Sequence, residues 1–113
     1  MSTYLYRRYT RRRRHGHNVP VGLLIAAIDG TDLKIGWSLC NKVDQFSRKT
    51  AAAMCTMRIK YNPVTINTKN TMDILAAFDF IPETLHESLV ATIEYTNRRN
   101  DRIIADAATT QEN

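Results

Sequence analysis

The run Val21-Gly22-Leu23-Leu24-Ile25-Ala26-Ala27-Ile28-Asp29-Gly30-Thr31-Asp32-Leu33-Lys34-Ile35-Gly36-Trp37-Ser38-Leu39-Cys40 decides the fold of this chain. In its second half Leu33, Ile35, Trp37 and Leu39 alternate with Lys34, Gly36, Ser38 and Cys40. A period of two belongs to a strand with one buried face. The first half, Val21 to Ile28, is apolar on both faces and has no edge signature, so it belongs at the centre of a sheet. Asp29-Gly30 between them is a hairpin turn signal, with Thr31-Asp32 able to lengthen the loop. A central strand needs a second neighbour. Thr3 to Arg13 supplies one if His15-Gly16-His17-Asn18 makes the turn.

Downstream of the hairpin the period changes. Asn41 reads as an N-cap, and Asp44 three residues on approximates a capping box. Val43, Phe46, Thr50, Ala53, Met54 and Met57 then recur at helical spacing, leaving Lys42, Gln45, Lys49, Thr56 and Lys60 on the outer face. This helix ends before Asn62-Pro63, because a residue preceding proline avoids the helical region. Val64-Thr65-Ile66 reads as a short strand, and Thr71 as the cap of a short helix through Phe80. Pro82-Glu83 opens a last helix, with proline and an acid both suited to its first turn. Leu85, Leu89, Ile93 and Thr96 mark its buried stripe, and Arg98, Arg99 and Arg102 lie near its end.

These segments predict an α+β fold: a small antiparallel β-sheet built on the hairpin (about 21–40), packed against two or three α-helices. The chain divides into a basic arm over 1–18, available as an edge strand, a single α+β domain over 19–104, and a fraying polar tail over 105–113. At 113 residues there is room for one core. The longest apolar run, Val19 to Ile28, is interrupted by Pro20 and Gly22 and is far short of the roughly 18–20 residues that span a bilayer. The expectation is therefore no membrane. Residues 1–28 contain no acid and six arginines, a composition shared with targeting peptides. The apolar stretch runs into a turn and a second strand instead of a cleavage site, so a cytoplasmic protein is expected. Cys40 and Cys55, the only two cysteines, fit a reducing compartment.

The formal net charge is +5, and six arginines lie within eight residues: Arg7, Arg8, Arg11, Arg12, Arg13 and Arg14. Without them the remainder is close to −1. The basicity is a local device. Arginines beside Tyr4, Tyr6 and Tyr9 make up an arm suited to phosphate, and the turn histidines His15 and His17 can assist. The tyrosines have two readings. They can stack on unpaired bases, worth about 1–3 kcal/mol each, or serve as core contacts of an edge strand. The arginines likewise suit nucleic acid (RNA or DNA), the acidic surface of a protein partner, or simple solubility. Arg48, Lys49 and Lys60 form a secondary basic group, in which Asp44 and Arg48 also make an i, i+4 helix pair. Arg58 on the same segment has the same two uses, support of the helix or contact with phosphate or a partner.

Catalytic and metal signals are weak. His15, His17, His86, Cys40 and Cys55 lack the closely spaced ligand pairs of a zinc site, so no metal is expected. Gly36-Trp37-Ser38-Leu39-Cys40 begins like a nucleophile elbow, but Cys40 replaces the closing glycine that the sharp turn needs. The plainer reading is a strand in which Trp37 anchors the core and Gly36 admits a close neighbour. Four glycines and no Walker loop leave little from which to build a phosphate-binding loop. No cofactor and no enzymatic activity are expected.

The segment Gly36-Trp37-Ser38-Leu39-Cys40-Asn41-Lys42-Val43-Asp44-Gln45-Phe46-Ser47-Arg48-Lys49 resembles a motif of small bacteriophage and prophage accessory proteins of undefined function. Their pattern is G-x-S-x-C-x3-D-x-F-x-[RK]-K, and the resemblance covers about 25 residues of the second strand and first helix. Where those proteins carry a glycine soon after the basic pair, this chain has Thr50-Ala51-Ala52-Ala53. The resemblance implies a viral accessory protein acting on host machinery. Two expectations follow: a non-enzymatic protein that binds nucleic acid through the arginine arm, or a protein–protein antagonist that docks on a host enzyme, polymerase, ribosome or defence complex.

Overall fold

The computed structural model describes residues 3–40 and 45–112, and side chains through residue 108. Four strands form one antiparallel sheet in chain order: β1 (Tyr4–Arg14), β2 (His17–Asp29), β3 (Asp32–Leu39) and β4 (Val64–Asn67). The helices are α1 (Arg48–Tyr61), α2 (Thr71–Phe80) and α3 (His86–Glu112), the last preceded by a single 3-10 turn at Glu83–Leu85. The fold is α+β. None of the described helices is long and apolar enough to cross a membrane.

The apolar strand β2 lies between β1 and β3, as its two-sided pattern requires. One face presents Leu24, Ala26 and Ile28 with the cross-strand residues Leu33 and Ile35, covered by Ala77 of α2 and Leu89 and Ile93 of α3. The opposite face presents Leu23 and Ile25 to Ala51 and Cys55 of α1. Because both faces are dry, β2 has no polar position to alternate.

The α1 layer sits very close to the sheet. A Cβ added to Gly36 would lie 2.1 Å from the carbonyl oxygen of Cys55, so only glycine admits the helix backbone there. Small residues complete the approach, with Ala51 and Cys55 facing the sheet and the Cys55 thiol donating to the Leu23 carbonyl at 3.4 Å. This corrects the expected helical stripe: Met54 and Met57 are 42% and 61% exposed, and the buried face is the smaller one. The helix also begins later than expected. Gln45 to Ser47 are not helical, and the Ser47 hydroxyl caps α1 by accepting from the Thr50 amide. The expected cap and box at Asn41 and Asp44, and with them the Asp44–Arg48 pair, lie outside the described residues.

Other boundaries shift slightly. Asp29 pairs with Asp32, so Gly30-Thr31 forms the two-residue loop, with Gly30 at φ 61° as a tight hairpin requires. Asn70, not Thr71, caps α2, its side chain accepting from the amides of Met72 and Asp73. Leu85, Leu89, Ile93 and Thr96 are buried as the stripe predicts, and the Thr92 and Thr96 hydroxyls are satisfied by carbonyls one turn back. The tail expected to fray from 105 instead continues α3 to Glu112, exposed from Asp101 through Ala108.

Candidate functional site

β1 lies at the edge of the sheet and pairs with β2 along its whole length, from Tyr4 opposite Ile28 to Arg14 opposite His17. The basic arm is thus a strand of the sheet. His15 at φ 49° and Gly16 at φ 80° make a tight turn with two left-handed residues, the geometry whose twist matches the flanking strands. A register shift at Thr10/Arg11, opposite Val21, divides the strand in two.

The first part is bolted to α3. Tyr6 stacks on Tyr95 with centroids 4.2 Å apart and planes 9° from parallel. Tyr4 is stacked at longer range on the same ring, and the Arg99 guanidinium lies 4.4 Å from the Tyr4 centroid. The Thr10 and Ser88 hydroxyls share a 2.8 Å hydrogen bond. On the other face Tyr9 meets Phe46 edge to face, and Arg48 lies over the Tyr9 ring at 5.2 Å. The tyrosines therefore take the second of their two readings, as packing contacts of an edge strand. Sequence reasoning missed Tyr95 and Arg99 as partners of the tyrosines and Ser88 as the partner of Thr10; a stripe pattern marks buried helix positions but not which strand they meet.

The arginines behave differently. All but Arg14 are exposed, and among the described residues the side chains of Arg7, Arg8, Arg11 and Arg13 make no hydrogen bond or ion pair. Arg12 donates to the Thr84 hydroxyl at 2.8 Å, where the 3-10 turn reaches the strand. His15, His17 and Asn18 are exposed at the turn. A cavity of about 390 Å³ opens between this end of the hairpin and the segment bearing Cys40, Gln45 and Phe46. The result is a set of exposed guanidiniums on the edge strand, of which Arg7, Arg8, Arg11 and Arg13 have no acid partner among the described residues.

The secondary basic residues are not gathered there. Arg48 stands beside Tyr9 and Lys49 is exposed next to it, but Lys60 lies about 18 Å further along α1 at 1.5 Å per residue. Its ammonium is 5.3 Å from the Tyr61 ring. Arg58 plays a structural part, stacking 3.9 Å over Trp37 and donating to the Trp37 carbonyl. β4 pairs with β3 only as far as Ile35, so this carbonyl lies past the last ladder pair and needs another donor.

The remaining chemical candidates are scattered. The Ser38 hydroxyl is buried and directed at the Met54 sulfur at 3.8 Å, with no base in reach among the described residues. Burial pushes the Cys55 thiol up to about 11, despite the nearby Arg58 charge, so it stays protonated at neutral pH. His86 is held by the Ile81 carbonyl and the edge of Phe78. Among the described residues no three His, Cys, Asp or Glu side chains come together.

The fold and this edge together define a small α+β protein that presents a basic β-hairpin. Comparison with protein-family models, curated proteins and solved structures finds no match for the chain.

Proposed function

We propose that this protein is a non-enzymatic accessory protein of the bacteriophage type, acting in the host cytoplasm, and that it binds nucleic acid through its arginine hairpin. The observation that carries the proposal is the set of guanidiniums at Arg7, Arg8, Arg11 and Arg13 on the edge strand, unpaired among the described residues. Unpaired cations at this density repel one another, and a polyanion relieves that repulsion while releasing its own counterions. The phage assignment rests on the resemblance over residues 36–49 alone. Replacing Arg11 to Arg14 with alanine is expected to weaken binding sharply in a low-salt gel shift. Unchanged affinity overturns the proposal.

A second reading is docking on a host protein complex. It is favoured by the apolar side chains left outside the core on α1 and α2, where Met57, Tyr61, Met72, Leu75 and Phe80 are each more than half exposed. These side chains lie on helices that cover opposite faces of the sheet, and each set offers apolar area to a partner. Pull-down from host lysate after nuclease treatment separates the two: a partner that survives nuclease favours protein docking.

A further inference from the structure

We infer that the polyanion is double-stranded DNA in the B form, and that the hairpin enters its major groove as a two-stranded ribbon. The inference rests on the nucleic-acid reading above and adds the form of the ligand and the manner of docking.

Three observations lead to it. The first is where the third strand stops. β3 ends at Leu39 opposite Gly22, and the Cys40 amide donates to the Val21 carbonyl. Among the described residues two strands continue beyond that point: Arg11 opposite Pro20, Arg12 opposite Val19, Arg13 opposite Asn18, and Arg14 opposite His17. Four paired residues at about 3.4 Å each give a ribbon of about 14 Å, plus the turn. A two-stranded ribbon is the β element that the B-form major groove, about 12 Å wide and 8.5 Å deep, accommodates.

The second observation is the composition of this ribbon. Both strands offer donors and neither offers an acid: Arg11, Arg12, Arg13 and Arg14 on one, His17 and Asn18 on the other. A groove has a phosphate wall on each side, and a ribbon with donors on both strands meets both walls. The tight turn with two positive φ values keeps the tip narrow.

The third observation concerns the tyrosines. A single-stranded ligand is held mainly by aromatic platforms on which its bases stack. Tyr6 is already covered by Tyr95, Tyr4 lies under Arg99, and Tyr9 is wedged between Phe46 and Arg48. The hairpin therefore has several exposed guanidiniums for backbone phosphates but, of its three tyrosines, Tyr4 alone is open, at 41% exposure, which is too little for a stacking platform. Duplex RNA fits poorly for another reason: its A-form major groove is too deep and narrow for side chains to read.

The test is fluorescence anisotropy of the full chain against one sequence of about 20 base pairs, presented as duplex DNA, single-stranded DNA and duplex RNA at equal salt. The expected result is at least tenfold tighter binding to duplex DNA than to either other form. Methyl green, which occupies the major groove, should displace the protein; netropsin, which occupies the minor groove, should not. Arg13→Gln, a change at an exposed position, should lower duplex affinity severalfold with the circular dichroism unchanged. Equal affinity for all three forms, preference for single strands or duplex RNA, or displacement by netropsin overturns the groove assignment while leaving nucleic-acid binding in place. Absence of binding to every form overturns both. The competitor experiment uses the unmodified protein, so it decides the matter even if the variant folds poorly.

Discussion

The two parts of β1 share arginine but differ in everything else, three tyrosines, a leucine and a threonine against none, and they take opposite roles in space. From Tyr4 to Thr10 the strand is an anchor: rings and a hydroxyl tie it to α3, 78 residues away at the Thr10–Ser88 bond. From Arg11 to Arg14 it is a probe that runs as a pair with the returning strand, and Arg12 reaches the body through its bond to Thr84. Tyrosine and arginine side by side look like one binding surface. The structure assigns the aromatic area to cohesion and leaves the charge to face outward, because a ring gains by burial and a guanidinium does not.

This contrast can be broken at graded cost. Gly36→Ala strikes the body beneath both parts, since its methyl group would collide with the Cys55 backbone instead of a flexible side chain. It should cost about 3 kcal/mol, with anchor and probe lost in one cooperative transition by thermal or urea denaturation. Tyr6→Ala, which removes the stacked ring, should cost about 2 kcal/mol and leave the salt dependence of DNA binding unchanged. If binding collapses while the fold survives, Tyr6 is a ligand contact and the division fails. Thr10→Val strands the Ser88 hydroxyl and should cost about 1 kcal/mol in urea. Arg13→Ala is the mirror image: it should shift stability by less than about 0.5 kcal/mol. At the same time it should flatten the slope of log affinity against log salt by about 0.9 on duplex DNA. A large loss of stability on that change would mean the tip is an anchor too.

Much of the architecture is legible in the sequence because it rests on local periodicity. The two-sided apolar run 21–28 announces a central strand, the alternation after it a half-buried neighbour, and the stripe from Leu85 to Thr96 a covering helix. Gly36 can be read as a point of close approach, though not what approaches. The α1 stripe misleads because hydrophobicity ranks Met54 and Met57 above Ala51 and Cys55. At contact distance from a sheet, size outranks hydrophobicity and the small residues win the inner face. The start of α1 is also read too early. Ser47 competes as a cap, and its side chain satisfies the first free amide.

At the candidate site the cluster of charge is visible in the sequence and its distribution is not. Nothing in residues 4–14 reveals that the strand changes register at Thr10, or that Tyr95 waits for Tyr6. Those facts depend on pairings between distant segments, which single-chain periodicity does not encode. The same is true of Arg58. Its place between Lys49 and Lys60 suggests anion contact, yet it serves a backbone carbonyl where a neighbouring strand has run out.

The strand order β1-β2-β3-β4 follows the order of synthesis, with α3 coming last. A ribosome therefore releases the oily middle strand well before Leu85, Leu89 and Ile93 exist to shelter it. During that interval Leu24, Ile28, Leu33 and Ile35 are open to neighbouring nascent chains. Like charges at the growing sheet's outer margin repel such neighbours, so the arginines serve as gatekeepers against clumping while the core is still incomplete.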